Sequence, residues 1–177
     1  MPEIPTERPI HLGRAKSNPA GADTPTDVVK KRIPISLEEG LIIVSTAETW
    51  AGTPYEVIGA ASRKNIKGDC SGSTYYIYKE AGFPYGAYKN TGSFHSYVNN
   101  KNESHFIKID TVNEAQPGDI LWWEGHMAIF AGEKDENGNN MWTAFNTRTK
   151  KPYGKSNYNF WRKGKLPEVY RYLKDVE

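Results

Sequence analysis

Two regimes of hydrophobic spacing follow one another along this chain, and they change over at Pro117-Gly118. Before that dipeptide, apolar residues recur at three- and four-residue intervals, the period of a helix that buries one face. After it they come in short β-branched and aromatic runs bounded by turn residues, as strands do. Helices first and a strand meander second predict an α+β layout, with the helices packed on an antiparallel sheet. At 177 residues the chain is long enough for one such domain with a normal core.

Within the first regime, Ser36 and Glu39 form a capping-box pattern at the head of SLEEGLIIVSTAETWAG. Leu41, Val44 and Ala47, with Trp50 or Ala51, continue one helical face, and Gly52 and Pro54 end it. The spacing predicts a second helix over Cys70–Ala81, closed by Gly82 with Pro84 behind it. A short third helix is expected in TGSFHSYVNN. In the second regime DILWW and HMAIFAG read as strands on either side of Glu124-Gly125. MWTAFNT returns from the Asn-Gly turn of EKDENGNN as a hairpin partner, and PEVYRYL alternates as a last strand. Met1 to Lys31 holds five prolines and no apolar period, so residues 1–35 are expected to be an extended or disordered segment ahead of a domain at 36–177.

Composition excludes several classes. The formal charge is +2, from 23 basic and 21 acidic residues, too even a balance to argue for nucleic acid. No apolar run approaches the ~18 residues of a membrane span, and no basic-then-apolar leader opens the chain. A zinc site built on Cys70 and the histidines would lack any closely spaced ligand pair. DENGNN has a calcium-loop rhythm at Asp135, Asn137 and Asn139, but Asn140 stands where that loop needs Gly and Asn146 where it needs Glu. No phosphate-cradling glycine loop is present. No metal and no cofactor is called for, and nothing suggests more than a monomer. The 11 Tyr and 5 Trp suit equally a groove for a polar polymer and a Tyr-rich core.

The chain has one cysteine, which cannot close an internal disulfide, so its thiol serves either packing or chemistry. At the first turn of a helix, unpaired N–H groups and the positive dipole end favour the thiolate and can later hold an oxyanion. Ser71, Gly72 and Ser73 are small enough to leave that turn open. Amide cleavage by a thiolate also needs a proton carrier, most often His. His11 lies in the proline-rich segment, His105 in a polar stretch and His95 in an aromatic helical one. His126 opens a strand directly after Gly125, where a strand end can project its ring over a helix terminus. Each residue alone has a plainer reading: a small buried hydrophobe for the Cys, a satisfied core or surface ring for the His.

Taken in order, GTPYEV, GDCSGSTYYIYKEAGF and PGDILWWEGHMAIFAG resemble the NlpC family of bacterial cell-wall cysteine peptidases. The matching pieces are Tyr55, Asp69-Cys70-Ser71-Gly72, Pro117-Gly118-Asp119 and His126, over a stretch from about Leu41 to Leu173. The resemblance implies a reduced papain-like core with the Cys helix against the sheet. It implies Cys70 as nucleophile and His126 as proton carrier, with Tyr55 pointing into the site. Asp69 and Ser71 would contact a stem-peptide amine, although helix capping alone would also account for them. The family's third polar residue, usually His, Asn or Gln, falls here on Thr143, whose hydroxyl holds no charge. Asn146 has the better chemistry but alternation puts it on the opposite strand face unless a bulge intervenes.

The expected function is therefore a cysteine hydrolase acting on an amide of peptidoglycan stem peptides. A D-glutamyl–diaminopimelate endopeptidase is favoured over an N-acetylmuramoyl-L-alanine amidase. The competing class is a cell-wall binding module of the same fold without turnover, because Thr143 departs from the family pattern. The basic and aromatic run NTRTKKPYGKSNYNFWRKGK is expected first as solvated surface and second as a groove wall. Action in the periplasm or cell wall without a visible leader makes an injected antibacterial effector, with an immunity protein in the producer, the expected delivery. A phage-borne enzyme and a chain whose leader has been removed are the other routes.

Overall fold

The computed structural model of the chain describes residues 8–12, 28–100, 103–145 and 149–176, with 8–12 and 28–30 as backbone alone. Three α-helices, α1 (Leu37–Glu48), α2 (Cys70–Ala81) and α3 (Thr91–Val98), pack with an antiparallel sheet. The strands are β1 (Arg8–Leu12), β2 (Val28–Pro34), β3 (Phe106–Ile109), β4 (Ile120–Trp123), β5 (His126–Phe130), β6 (Met141–Thr143), β7 (Gly154–Ser156) and β8 (Glu168–Val176). Their order is β1-β2-β8-β4-β5-β6-β7, with β3 also paired to β8. The architecture is the expected α+β one.

Local chemistry explains the helix limits. The Ser36 hydroxyl accepts from the Glu39 N–H while the Glu39 carboxylate accepts from the Ser36 N–H, which completes the capping box of α1. Asp69 caps α2 by accepting from the Gly72 N–H. At the other end Gly82 takes φ 96°, a conformation that a Cβ disfavours, and the Phe83 N–H turns back to the Tyr78 carbonyl at 2.8 Å. α2 is central. Seven of its residues are buried, and it lies between α1 and the β5–β6 part of the sheet.

Much of the tyrosine content serves the core. Tyr78, Tyr85 and Tyr170 are fully enclosed, and Tyr85 meets Phe94 and Phe106 edge-to-face at 5.7 and 5.2 Å. The Tyr78 hydroxyl donates to the Gly118 carbonyl, which ties α2 to the changeover dipeptide. Directly after it, Asp119 is buried against Arg171 of β8.

Four strands lie outside the sequence pattern. β1 and β2 form a hairpin inside residues 1–35, and β2 continues the sheet along β8. β3 and β7 are three or four residues long, too short for alternation to declare itself.

Candidate active site

The N-terminus of α2 and Gly125, the residue before β5, line one cleft. Its volume is about 580 Å³, and Tyr55, Cys70, Tyr88, Thr91, Gly125 and Arg162 are among its lining residues. Cys70 is half-buried at the first position of α2, with its sulfur 3.8 Å from the Thr91 hydroxyl.

Two influences on the thiol oppose each other. Burial pushes its pKa up, because the thiolate loses hydration. The Met127 N–H, the Thr91 hydroxyl and the Ser71 N–H pull it down. Burial prevails, so the expectation that the helix terminus alone would favour the thiolate needs correcting: its dipole acts on a sulfur largely removed from water.

His126 is 2% exposed and stacks on Trp161, with ring centroids 4.0 Å apart and an interplanar angle of 10°. Its Nε2 lies 2.8 Å from Thr143 Oγ1. That oxygen also lies 3.0 Å from the Met127 carbonyl and 3.1 Å from the Ala144 carbonyl. Carbonyls only accept, so the single hydroxyl proton goes to one of them and Thr143 accepts from Nε2–H. Nδ1 then carries the free lone pair. In this assignment the uncharged Thr143 hydroxyl sets the tautomer of the His126 ring.

Burial, followed by the nearby Arg162 cation, lowers the His126 pKa to about 3. Cys70 and His126 share no hydrogen bond, although Met127, the residue after His126, presents its N–H to the thiol. Cys70 lines the cleft while His126 is held behind Trp161. Asn146, the other candidate for the third position, lies outside the described residues.

The three predicted substrate-binding residues surround the thiol. Tyr55 has its pKa raised by burial and then by the negative charge of Cys70 and Asp69, so its hydroxyl stays protonated and able to donate. Asp69 is 5% exposed, and its carboxylate accepts from three backbone N–H groups: Gly72 at 2.8 Å, Ile58 at 3.0 Å and Gly59 at 2.6 Å. It thus fastens the 58–59 loop to the start of α2 as well as capping the helix. Ser71 Oγ lies 2.8 Å from the Tyr88 hydroxyl on the cleft wall.

Gly72 makes that wall possible. A Cβ there would sit 2.0 Å from Ser62 Oγ and 2.3 Å from the Gly59 carbonyl oxygen. Gly72→Ala is expected to destabilise the protein by about 1–3 kcal/mol, despite the roughly 1 kcal/mol that Ala gains in helix propensity. Urea unfolding checks this, and an unchanged midpoint would show that the 59–62 loop is not seated on α2.

Sequence reasoning missed Tyr88, Thr91 and Trp161 as site residues. Tyr88 comes from the polar connection after α2, which carries no periodic signal, and Thr91 opens α3, a helix expected from the sequence but not tied there to the site. Trp161 lies in the basic, aromatic run whose first reading is solvated surface, and the second reading of that run, as a groove wall, fits Arg162. Of the other histidines, His95 stacks on Trp122 at 3.9 Å beside Glu168, and His105 is half-buried against Tyr172.

No protein-family model matches the chain, and no curated protein matches it. Among solved structures it is similar to NlpC2 from Trichomonas vaginalis, with a TM-score of 0.56 and 14% identity over 95% of this chain and 73% of that one. It is also similar to a lipoprotein-like NLP/P60-family protein from Staphylococcus aureus, with a TM-score of 0.52 and 20% identity over 80% of this chain and 43% of that one. None of the described helices is long and apolar enough to cross a membrane. With the Cys helix packed on an antiparallel sheet, the chain has the papain-like α+β fold of the NlpC/P60 proteins.

Proposed function

We propose that the chain is a cysteine hydrolase cutting an amide in peptidoglycan stem peptides, as a D-glutamyl–diaminopimelate endopeptidase rather than an N-acetylmuramoyl-L-alanine amidase. The observation that carries this reading is the chain's lone thiol, at a helix N-terminus on an open cleft, receiving the N–H of Met127, whose neighbour His126 pairs with the Thr143 hydroxyl at 2.8 Å. Similarity to NlpC/P60 structures supports it.

In this reading Nδ1 of His126 takes the thiol proton as Cys70 Sγ attacks the amide carbonyl. Backbone N–H groups at the head of α2 receive the developing oxyanion, with Tyr55 as a further donor. His126 returns the proton to the leaving amine, and water then hydrolyses the acyl-enzyme. Thr143 fixes the tautomer. Ser71 faces the stem-peptide amine, and Asp69 places negative charge behind it.

Digestion of purified sacculi, with mass spectrometry of the fragments, tests the proposal. The wild type is expected to release a new amine that Cys70→Ala and His126→Ala proteins do not. Fragments from Cys70→Ala matching the wild type, or none from folded wild type, would overturn it.

One observation favours the second reading, a binding module without turnover. Thiol and imidazole share no hydrogen bond, and burial pushes both away from their charged forms. Muropeptides that bind but yield no amine, together with a Cys70 that resists iodoacetamide near neutral pH, would decide for the module.

A further inference from the structure

Resting on the hydrolase reading, we infer that Arg162 is a specificity residue that selects substrates with a free carboxylate beside the scissile amide. Arg162 and Cys70 line the same cleft. The guanidinium lies against Gly125, the residue before His126: a Cβ built on that glycine would be 3.2 Å from Arg162 Nη2. The cation therefore stands at the rim of the wall that carries the imidazole, and its field is felt there.

The other charged group on the cleft is Asp69, whose carboxylate oxygens already receive the Ile58, Gly59 and Gly72 N–H groups. Arg162 is exposed, and no carboxylate among the described residues forms an ion pair with it. Of the two charges on the cleft, the buried one is negative and the exposed one, at Arg162, is positive.

The backbone that carries Arg162 is strained. Arg162 and Lys163 take φ of 47° and 56°, consecutive left-handed conformations that cost residues with a Cβ roughly 1–2 kcal/mol each. The preceding residue is anchored, with Trp161 stacked on His126 and its Nε1 donating to Ser156 Oγ at 2.9 Å. Strain at the open edge of a candidate active site is the kind that functional geometry retains. A planar guanidinium is also suited to receive a carboxylate through two parallel hydrogen bonds.

This charge separates the two amides considered above. The γ-glutamyl amide has an α-carboxylate on its acyl residue, whereas the muramoyl–alanine amide has none on that side. Arg162 thus favours the endopeptidase and predicts weaker cleavage when the glutamyl carboxylate is amidated.

Two measurements test the inference. The first needs no turnover: Cys70 is alkylated by anionic iodoacetate and by neutral iodoacetamide, at fixed pH and ionic strength. The iodoacetate-to-iodoacetamide rate ratio is expected to fall about fivefold in Arg162→Gln, to remain largely intact in Arg162→Lys, and to shrink with added salt in the wild type. The second compares a stem peptide bearing a free α-carboxylate with its α-amide. The wild type is expected to prefer the acid by about fivefold in kcat/KM, and Arg162→Gln to treat the two alike. An alkylation ratio unchanged by Arg162→Gln, or cleavage indifferent to the carboxylate, would overturn the role of Arg162 alone. Peptides bound with carboxylate preference but never cut would overturn the hydrolase reading and leave that role standing.

Discussion

An Arg171→Met protein is expected to lose about 4 kcal/mol of stability at pH 7, with replacement of Asp119 by Asn in the same chain recovering most of it. Arg171 of β8 grips Asp119 with two hydrogen bonds, Nε to Oδ1 at 3.0 Å and Nη2 to Oδ2 at 2.9 Å. Asp119 is 1% exposed, and burial lifts its pKa from 3.8 to about 6 even with the cation in place. Without Arg171 the carboxyl must hold a proton at neutral pH. Holding that proton costs about 1.4 kcal/mol beyond what the wild type already bears with its carboxyl at about 6, one pH unit below neutrality. The two lost guanidinium hydrogen bonds add to this, toward the roughly 3–5 kcal/mol lost when a buried pair is broken from one side.

Urea unfolding of wild type, single and double variants measures the effect. A loss under about 1 kcal/mol in the single variant would mean that water reaches the pair. The folded pKa of Asp119 lies above its unfolded one, so its contribution is present below pH 3.8 and is lost as pH rises through 6. At neutral pH the pair is therefore not a net source of stability. What it fixes is position: Asp119 accepts from the Gln116 N–H and holds the corner from which β4, and then β5 with His126, depart.

His126 should show the opposite dependence. Its folded pKa of about 3 lies well below the ordinary 6.5, so its contribution is complete above pH 6.5 and is lost as pH falls toward 3. Between pH 7 and pH 5 the unfolded chain takes up a proton that the native ring refuses, a loss of about 2 kcal/mol. Asp119 titrates in the other sense over the same interval, so the quantity to measure is the wild-type unfolding free energy minus that of His126→Gln. A difference that changes by about 2 kcal/mol supports burial of the ring under Trp161. Parallel curves would show the imidazole already hydrated in solution. The result bears on catalysis, since a ring this reluctant to be charged carries a proton only if Trp161 moves or a thiolate forms beside it.

The parts of the site that can be read from the sequence are those with local signatures. Asp69 and Gly82 bracket α2 as N-cap and left-handed terminator, so the position of Cys70 at the first turn follows from caps and spacing alone. Gly125 marks the start of β5 and hence of His126. The hairpin turn falls where Asn137-Gly138 demands it, with Asp135 accepting from the Asn137 and Asn139 N–H groups. Thr143 came from ordered resemblance, and its hydrogen bond to His126 is a tertiary fact across the β5–β6 pair.

Other features were hidden for physical reasons. Trp161 and Arg162 sit in a run without helical or strand period, and left-handed backbone at two non-glycine residues has no sequence mark. Whether the thiol ionises readily depends on the balance between desolvation and the local N–H donors. That balance is decided by packing from β5 and α3, far away in sequence.

The Asp69 carboxylate has a consequence for how such a cleft changes over time. By binding Ile58, Gly59 and Gly72 together it makes the head of the Cys70 helix and one bank of the cleft a single rigid casting. Another part of the cleft lining, Arg162, belongs with Trp161 to a looped arm outside the regular sheet. New binding preferences, whether evolved or engineered, should accumulate at the exposed Arg162 end of that arm, while Trp161 stays fixed by its stack on His126.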